Sequence, residues 1–200
     1  MAVKSGVHEI AGRTLKYQQG QLDGLCGIYS VVNALNYLLE NNDTPQIAED
    51  LFEVVLRAIP RKMYPDVLFS GTTLADLRLV GKAAVRYLDS RWNLQIKVEQ
   101  PFIRRRFVDQ AQFLEELEQY MAERAAVAIL GIDWSALAGH WTVLQSIRSD
   151  ELKLIDSSGL KSLKRRGTSV RASSKPRLCP DQTTVFNLVA VEGVAIRDLP

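Results

Sequence analysis

The sequence predicts an α+β domain, with a helical lobe in the first half packed on an antiparallel β-sheet in the second. Two observations carry this. Apolar residues recur at helical spacing through four segments in the first 122 residues, and from residue 126 onward short runs rich in β-branched and aromatic residues are separated by Asp, Ser and Gly. Helices gathered first and strands afterwards argue against alternating βαβ units. The 200 residues suit one domain spanning 1–200, and no internal repeat or interior linker divides them.

The elements follow in order. Over residues 25–39, Ile28, Val31, Val32, Leu35, Leu38 and Leu39 fall on one helical face. Asn41 and Asn42 end the run, so the chain predicts a buried helix that starts at Cys26. Thr44 followed by Pro45 opens a second helix, because proline is tolerated where an amide would lack a partner. Ile47, Leu51, Val54 and Val55 form its apolar face, and it should stop at Pro60. Thr73-Leu74-Ala75-Asp76 has the form of a capping box and starts a third helix through Leu77, Val80, Ala84 and Leu88. Asp109 opens a fourth, through Phe113, Leu114, Leu117 and Met121. The predicted strands are AVAILGI at 126–132, WTVLQSI at 141–147, ELKLI at 151–155 and VFNLVAV at 185–191, with an edge strand at 94–98.

Composition excludes several classes. Two cysteines, 12 glycines and 7 prolines rule out a disulfide framework, a collagen-like repeat and a disordered low-complexity chain. The longest apolar runs, such as 125–132, fall short of the roughly 18–20 residues of a spanning helix, so no membrane partner is expected. MAVKSGVHEIAGR has no apolar signal core, which predicts a cytoplasmic protein with reduced thiols; export without a cleaved signal would leave no mark. The net charge of +2 hides an uneven distribution: residues 161–177 carry seven basic side chains and no acidic one, against 18 basic and 23 acidic elsewhere. Their Ser, Gly and Pro content reads as a basic surface loop. It is either simply solvated or a patch for an acidic partner or nucleic acid. Arg104, Arg105 and Arg106 form a second small cluster. No nucleic-acid-binding motif accompanies either.

Three pieces carry chemistry: Gln21-Leu-Asp-Gly-Leu-Cys26-Gly27, Gly139-His140-Trp141-Thr142 and Leu154-Ile155-Asp156-Ser157-Ser158-Gly159. Cys26 stands at the start of a long apolar helix, where unpaired amides and the helix dipole favour a thiolate, which is the nucleophilic form. His140 begins one predicted strand and Asp156 ends the next, with a tight turn at 148–150 between them. A hairpin therefore sets imidazole and carboxylate side by side, and a Cys-His pair needs such a group to orient the ring. Gln21 can offer its amide to an oxyanion on an attacked carbonyl, with the Cys26 backbone amide as second donor. Gly139 leaves room for a substrate backbone beside the sulfur, Trp141 packs beside His140 and shields its bond to Asp156, and Trp134 lines the cleft rim. Taken singly, these residues have ordinary readings as a buried thiol, a structural histidine and a turn. The order of the set favours catalysis. Cys179 lacks both a helix start and a paired histidine and reads as structural; His8, the only other histidine, lies in the N-terminal segment.

The order Gln…Cys…His…Asp, the Cys-Gly helix start and the His-Trp pair resemble the papain-like cysteine peptidases. Glutamine five residues before cysteine, Asn-Ala-Leu within the helix, and HWTV one hairpin before LIDSSG are similar to Josephin-type deubiquitinases; leader-processing peptidases of bacteriocin exporters share much of the pattern. The resemblance covers residues 19–40 and 139–160, about a fifth of the chain. It implies a papain-like fold, Cys26 as nucleophile, His140 as base and then acid, Asp156 as orienting residue and Gln21 as oxyanion donor, with Gln19 in that role if the loop bulges. It further implies a protein or peptide substrate, with a ubiquitin-like partner as the family-level expectation. Josephin domains usually carry asparagine where Asp156 stands, which leaves the subfamily open.

Other chemistries find no support. Two histidines and two cysteines without HExxH or CxxC do not supply a zinc set, and the phosphate-binding glycine motifs are absent, so no metal or cofactor is expected. The expected activity is hydrolysis of a peptide or isopeptide bond through a thioester on Cys26. The alternatives are glutamine deamidation or acyl transfer by the same triad, or a catalytically silent module of the same shape. Specificity is expected in loops, with 41–138 building one cleft wall and the basic 161–177 segment, directly after Asp156, steering an acidic substrate.

Overall fold

Apolar residues on both faces of the strands decide the architecture. The structure of the protein, a computed structural model, describes residues 17–19, 23–39, 45–134, 139–173 and 175–189. Its elements are α1 (Cys26–Leu38), α2 (Pro45–Arg57), a 3₁₀ turn (Arg61–Met63), α3 (Tyr64–Ser70), α4 (Leu74–Trp92), β1 (Ile96–Glu99), α5 (Gln110–Ala122), β2 (Ala125–Asp133), β3 (His140–Ile147), β4 (Glu151–Ile155), β5 (Ser162–Lys164), a second 3₁₀ turn (Arg165–Gly167) and β6 (Arg177–Leu188). Among the described residues the strands form one six-stranded sheet in the order β1-β6-β2-β3-β4-β5, with every neighbouring pair antiparallel. The chain is thus α+β with an antiparallel sheet.

One face presents Val127, Ile129, Trp141, Val143, Ile155 and Phe186 to α1, α2 and α4, through Ile28, Val31, Leu35, Leu51, Leu77 and Val80. The other presents Ala128, Leu130, Ile132, Leu144 and Leu154 to Phe102 and to Phe113, Leu114 and Leu117 of α5. Alternating side chains of β2 are therefore buried on opposite sides, which is why its sequence runs apolar without interruption. This corrects the expectation of a single helical lobe: α5 covers the opposite face from the other helices. Its ring cluster, with Phe113 at 5.6 Å from Phe102 and 5.2 Å from Phe107 between centroids, fills that side.

The helix starts follow their local chemistry. Thr73 and Asp76 form the predicted capping box: the Thr73 hydroxyl accepts from the Asp76 amide at 3.2 Å, and the Asp76 carboxylate accepts from the Thr73 amide at 2.8 Å. Asp109 caps α5 by accepting from the Gln112 amide at 2.9 Å. α4 runs past Leu88 to Trp92 and ends on Asn93 in the left-handed region. The short α3, with Pro65 in its first turn, was not expected from the sequence. The predicted features at His8, Asn41, Asn42, Thr44 and 190–191 lie outside the described residues.

Two strand expectations are corrected. β6 starts at Arg177 rather than near 185, because a register shift opposite Leu130 accommodates Pro180 and Asp181, residues that read as a turn. Residues 161–177 are not a loop throughout. Ser162–Lys164 pairs with β4 as β5 and buries Leu163, and a 3₁₀ turn follows. Lys164 binds Asp150 at 3.0 Å and Glu151 at 3.2 Å, and Arg165 donates to the carbonyls of Arg148 and Ser149, both at 3.3 Å. These partners form the 148–150 turn, the opposite end of the hairpin from His140 and Asp156. The basic side chains at 164 and 165 therefore serve the far end of the sheet and do not emerge beside Cys26.

Phe113→Ala is expected to cost about 3–5 kcal/mol in urea unfolding, the range for a fully buried phenylalanine. Thr73→Ala is expected to cost about 1 kcal/mol through loss of the cap. A Phe113→Ala loss below about 1 kcal/mol would mean that α5 is not packed on the sheet.

Candidate active site

The site is assembled at the N-terminus of α1, the start of β3 and the end of β4. Cys26 is the first residue of α1, and Leu25 ahead of it supplies no side-chain cap. The helix end is fixed from two sides. Gly24 donates its amide to Leu68 of α3 at 2.6 Å, and the Asp23 carboxylate accepts from the Leu25 amide at 3.1 Å. From the sheet, Trp141 holds α1 and the loop before α4 together. Its indole donates to the Thr72 carbonyl at 2.9 Å, and its own carbonyl accepts from the Ser30 hydroxyl at 3.0 Å. Such close approach needs glycine at two places. A Cβ on Gly27 would lie 1.9 Å from Thr72 Oγ1 and 3.1 Å from Trp141 Cδ1; one on Gly131, across the strand pair from Trp141, would lie 2.5 Å from Gln182 Oε1 and 3.3 Å from Trp141 Cζ3. Gly27 is thus a packing requirement of the helix start.

With α1 and β3 locked, the Cys26 thiol lies close enough to the His140 ring to help raise its pKa. His140 Nε2 lies 2.5 Å from Asp156 Oδ2, which leaves Nδ1 for the thiol. The carboxylate itself is fully buried and held in one orientation, because its Oδ1 accepts from the Ser158 amide at 2.9 Å and the Leu160 amide at 3.0 Å. Burial disfavours charge on both groups, but their pairing outweighs it. For His140, burial lowers the pKa, yet the hydrogen bonds to Asp156 and then Cys26, with the charges of both, raise it from 6.5 to about 9. For Asp156, burial raises the carboxyl, while His140 and the Leu160 amide hold it below its ordinary value. The arrangement is a half-buried imidazole able to carry a proton at neutral pH, between a thiol and a fixed carboxylate.

Gln21 lies outside the described residues. Gln19 is at the site. Its amide donates to the Ser157 carbonyl at 3.2 Å, its side-chain oxygen accepts from the Ser157 hydroxyl at 3.1 Å, and its side-chain nitrogen donates to the Asp23 carbonyl at 3.3 Å. It ties the segment before Cys26 to the residue after Asp156. The expected substrate contacts fare differently. Trp134 packs against the α5-side cluster, on the opposite face of the sheet from Cys26, so it does not line a cleft there. Trp141 is 6% exposed and belongs to the core under α1, a scaffold rather than a contact surface. Gly139 is exposed, and among the described residues a Cβ on it would meet Ile132 O at 3.8 Å and nothing nearer. Cys179 is buried two strands from Trp141, and burial pushes its thiol pKa up.

Sequence reasoning did not single out Thr72, Ser30 or Ser157. Ser157 reads only as part of the turn after Asp156, and Thr72 and Ser30 carry no local signal of what they touch. Among the described residues no group of three His, Cys, Asp or Glu side chains could hold a metal ion, and no helix is long and apolar enough to cross a membrane. Compared with protein-family models, curated proteins and solved structures, the chain matches none of them.

Two outcomes follow from this geometry. Because the folded-state pKa of His140 lies above its ordinary value, the stability it contributes is complete below pH 6.5 and fades as pH rises through about 9. NMR titration of the ring should show it protonated up to about pH 9, and Asp156→Asn should lower that midpoint by about 1–3 pH units. An unchanged midpoint would show that the two side chains are not paired in solution. Gly27→Ala should destabilise the protein by about 1–3 kcal/mol by thermal or urea unfolding, with part of the loss restored by adding Thr72→Ala.

Proposed function

We propose that this chain is a cysteine hydrolase with a papain-like fold, cleaving a peptide or isopeptide bond through a thioester on Cys26. The observation that carries the reading is one ring that meets both a thiol at a helix N-terminus and a buried, doubly anchored carboxylate. The residue order and spacing that resemble the papain-like peptidases support it. In the proposed reaction the Cys26 thiolate, formed by proton transfer to His140, attacks the substrate carbonyl. The oxyanion is met by the Cys26 backbone amide and a glutamine side chain ahead of α1, Gln21 by spacing, with Gln19 already held at the site by Ser157. His140 then gives its proton to the leaving amine, and water, deprotonated by the same ring, releases the acid. Asp156 keeps Nδ1 aimed at sulfur throughout. Glutamine deamidation and acyl transfer would use the same steps with a different leaving group or acceptor.

The raised His140 pKa implies that its imidazolium persists through neutral pH, so the thiolate has a counter-ion. Iodoacetamide at about pH 6, mapped by mass spectrometry, should modify Cys26 at least about tenfold faster than the buried Cys179, and His140→Ala should abolish that preference. Cys26→Ala and His140→Ala should each lower kcat/KM on peptidyl aminomethylcoumarin amides by about 10³-fold or more. Equal alkylation of the two cysteines in wild type would sink the hydrolase reading and favour a binding module of the same shape.

A further inference from the structure

Several basic side chains near the sheet are matched. Arg105 pairs with Glu116 at 2.6 Å, Arg177 with Asp133 at 3.1 Å, and Lys164 with Asp150 at 3.0 Å. Three others, without an acidic partner among the described residues, come together in one place. Arg78 and Lys82, one turn apart on α4, and Arg104, just after β1, line a concavity of about 360 Å³ together with Val98, Gln100 and Ile103. All three cations are exposed, and none pairs with an acidic side chain among the described residues. The lining also holds a buried Gln100 side-chain nitrogen without a hydrogen-bond partner, and Ile103, a large apolar side chain that is 47% exposed. Unmatched positive charge and exposed apolar surface together describe a site shaped for a carboxylate-bearing ligand with apolar character.

The backbone beside it narrows the ligand further. β1 is the end strand of the sheet, paired only with β6. The Val189 amide donates to the Gln95 carbonyl at 2.8 Å, so Gln95, Lys97 and Glu99 hold the hydrogen-bonded positions facing β6. The N–H and C=O groups of Ile96 and Val98 then point to the outer edge, and Val98 is itself part of the concavity. An unpaired strand edge is a template for another extended chain.

We propose that this concavity and the β1 edge form a docking site for an extended acidic segment of a protein partner, its carboxylates on Arg78, Lys82 and Arg104 and its backbone continuing the sheet beyond β1. A small anion would use the cations but neither the strand edge nor Ile103, which is why a peptide is the occupant favoured. The site shares no residue with Cys26, His140 or Asp156, and it stands whether or not the chain is a hydrolase.

The test uses the full chain carrying Cys26→Ala, so that binding is read without turnover. A fluorescein-labelled Glu-Val-Glu-Val-Glu-Val peptide is followed by fluorescence anisotropy. Saturable binding is expected, weakening with added salt and by at least about tenfold in Arg78→Glu/Lys82→Glu and in Arg104→Glu. The milder Arg78→Gln/Lys82→Gln should weaken it in the same direction, and N-methylation of alternate peptide amides should weaken it further. Lys164→Glu/Arg165→Glu makes the same change in net charge at the far end of the hairpin and should leave binding unaltered. Absence of saturable binding, or equal weakening by both pairs of charge reversals, overturns the proposal. So does full retention of affinity after N-methylation with displacement by tripolyphosphate, which would make the concavity a plain anion pocket.

Discussion

Everything at the candidate site depends on how closely β3 approaches the start of α1. Trp141 sets that distance: its indole and carbonyl are hydrogen-bonded to Thr72 and Ser30, on two different elements, while Gly27 and Gly131 remove the Cβ atoms that would hold it away. A helix N-terminus and a strand have no intrinsic reason to meet at a fixed spacing. A buried bulky ring with both polar ends satisfied imposes one, because displacing it would strand a donor and an acceptor away from water. Cys26 precedes Gly27 and His140 precedes Trp141, so the thiol and the imidazole take their positions from neighbours that are purely structural.

The second constraint is electrostatic. A carboxylate with no solvent exposure is tolerable only if its lone pairs are occupied, and Asp156 meets this with two backbone amides on one oxygen and an imidazole on the other. The amides come from the tight turn that Asp156 itself begins, so Ser158 and Gly159 matter for the carboxylate's direction rather than for any contact of their own. Gly159, with φ of 95°, takes the left-handed conformation that lets the chain return toward Leu160. The consequence is that the pKa of His140 rises despite the desolvation that opposes it.

The two faces of the sheet divide the work. The α1 side carries Cys26, His140 and Asp156 together with the larger core, and the α5 side is packed by aromatic rings that stiffen the strands from behind. Charge is divided as well. Around the 148–150 turn the basic side chains are consumed by Asp150, Glu151 and backbone carbonyls, whereas at the β1 end Arg78, Lys82 and Arg104 remain open to solvent. A composition count sees two basic clusters; only their partners tell a structural cluster from one available for recognition.

The sequence by itself determined what is local. Periodicity located α1, α2, α4 and α5, a capping box marked the first turn of α4, and the hairpin from His140 to Asp156 could be read from two apolar runs and a turn, because these depend on residues within a few positions of one another. It also brought Cys26, His140 and Asp156 together as one set. Tertiary structure decided what depends on the face a side chain takes and on where distant segments land. Trp134 faces α5 because strand side chains alternate, and α5 covers the far face because β2 is apolar on both sides. β5 exists because Leu163 finds a buried place beside β4 and Lys164 finds acidic partners. Thr72, Ser30 and Ser157 gained their roles only through contacts with residues far away in the chain, 69, 111 and 138 positions distant, and no local pattern encodes an encounter across such separations.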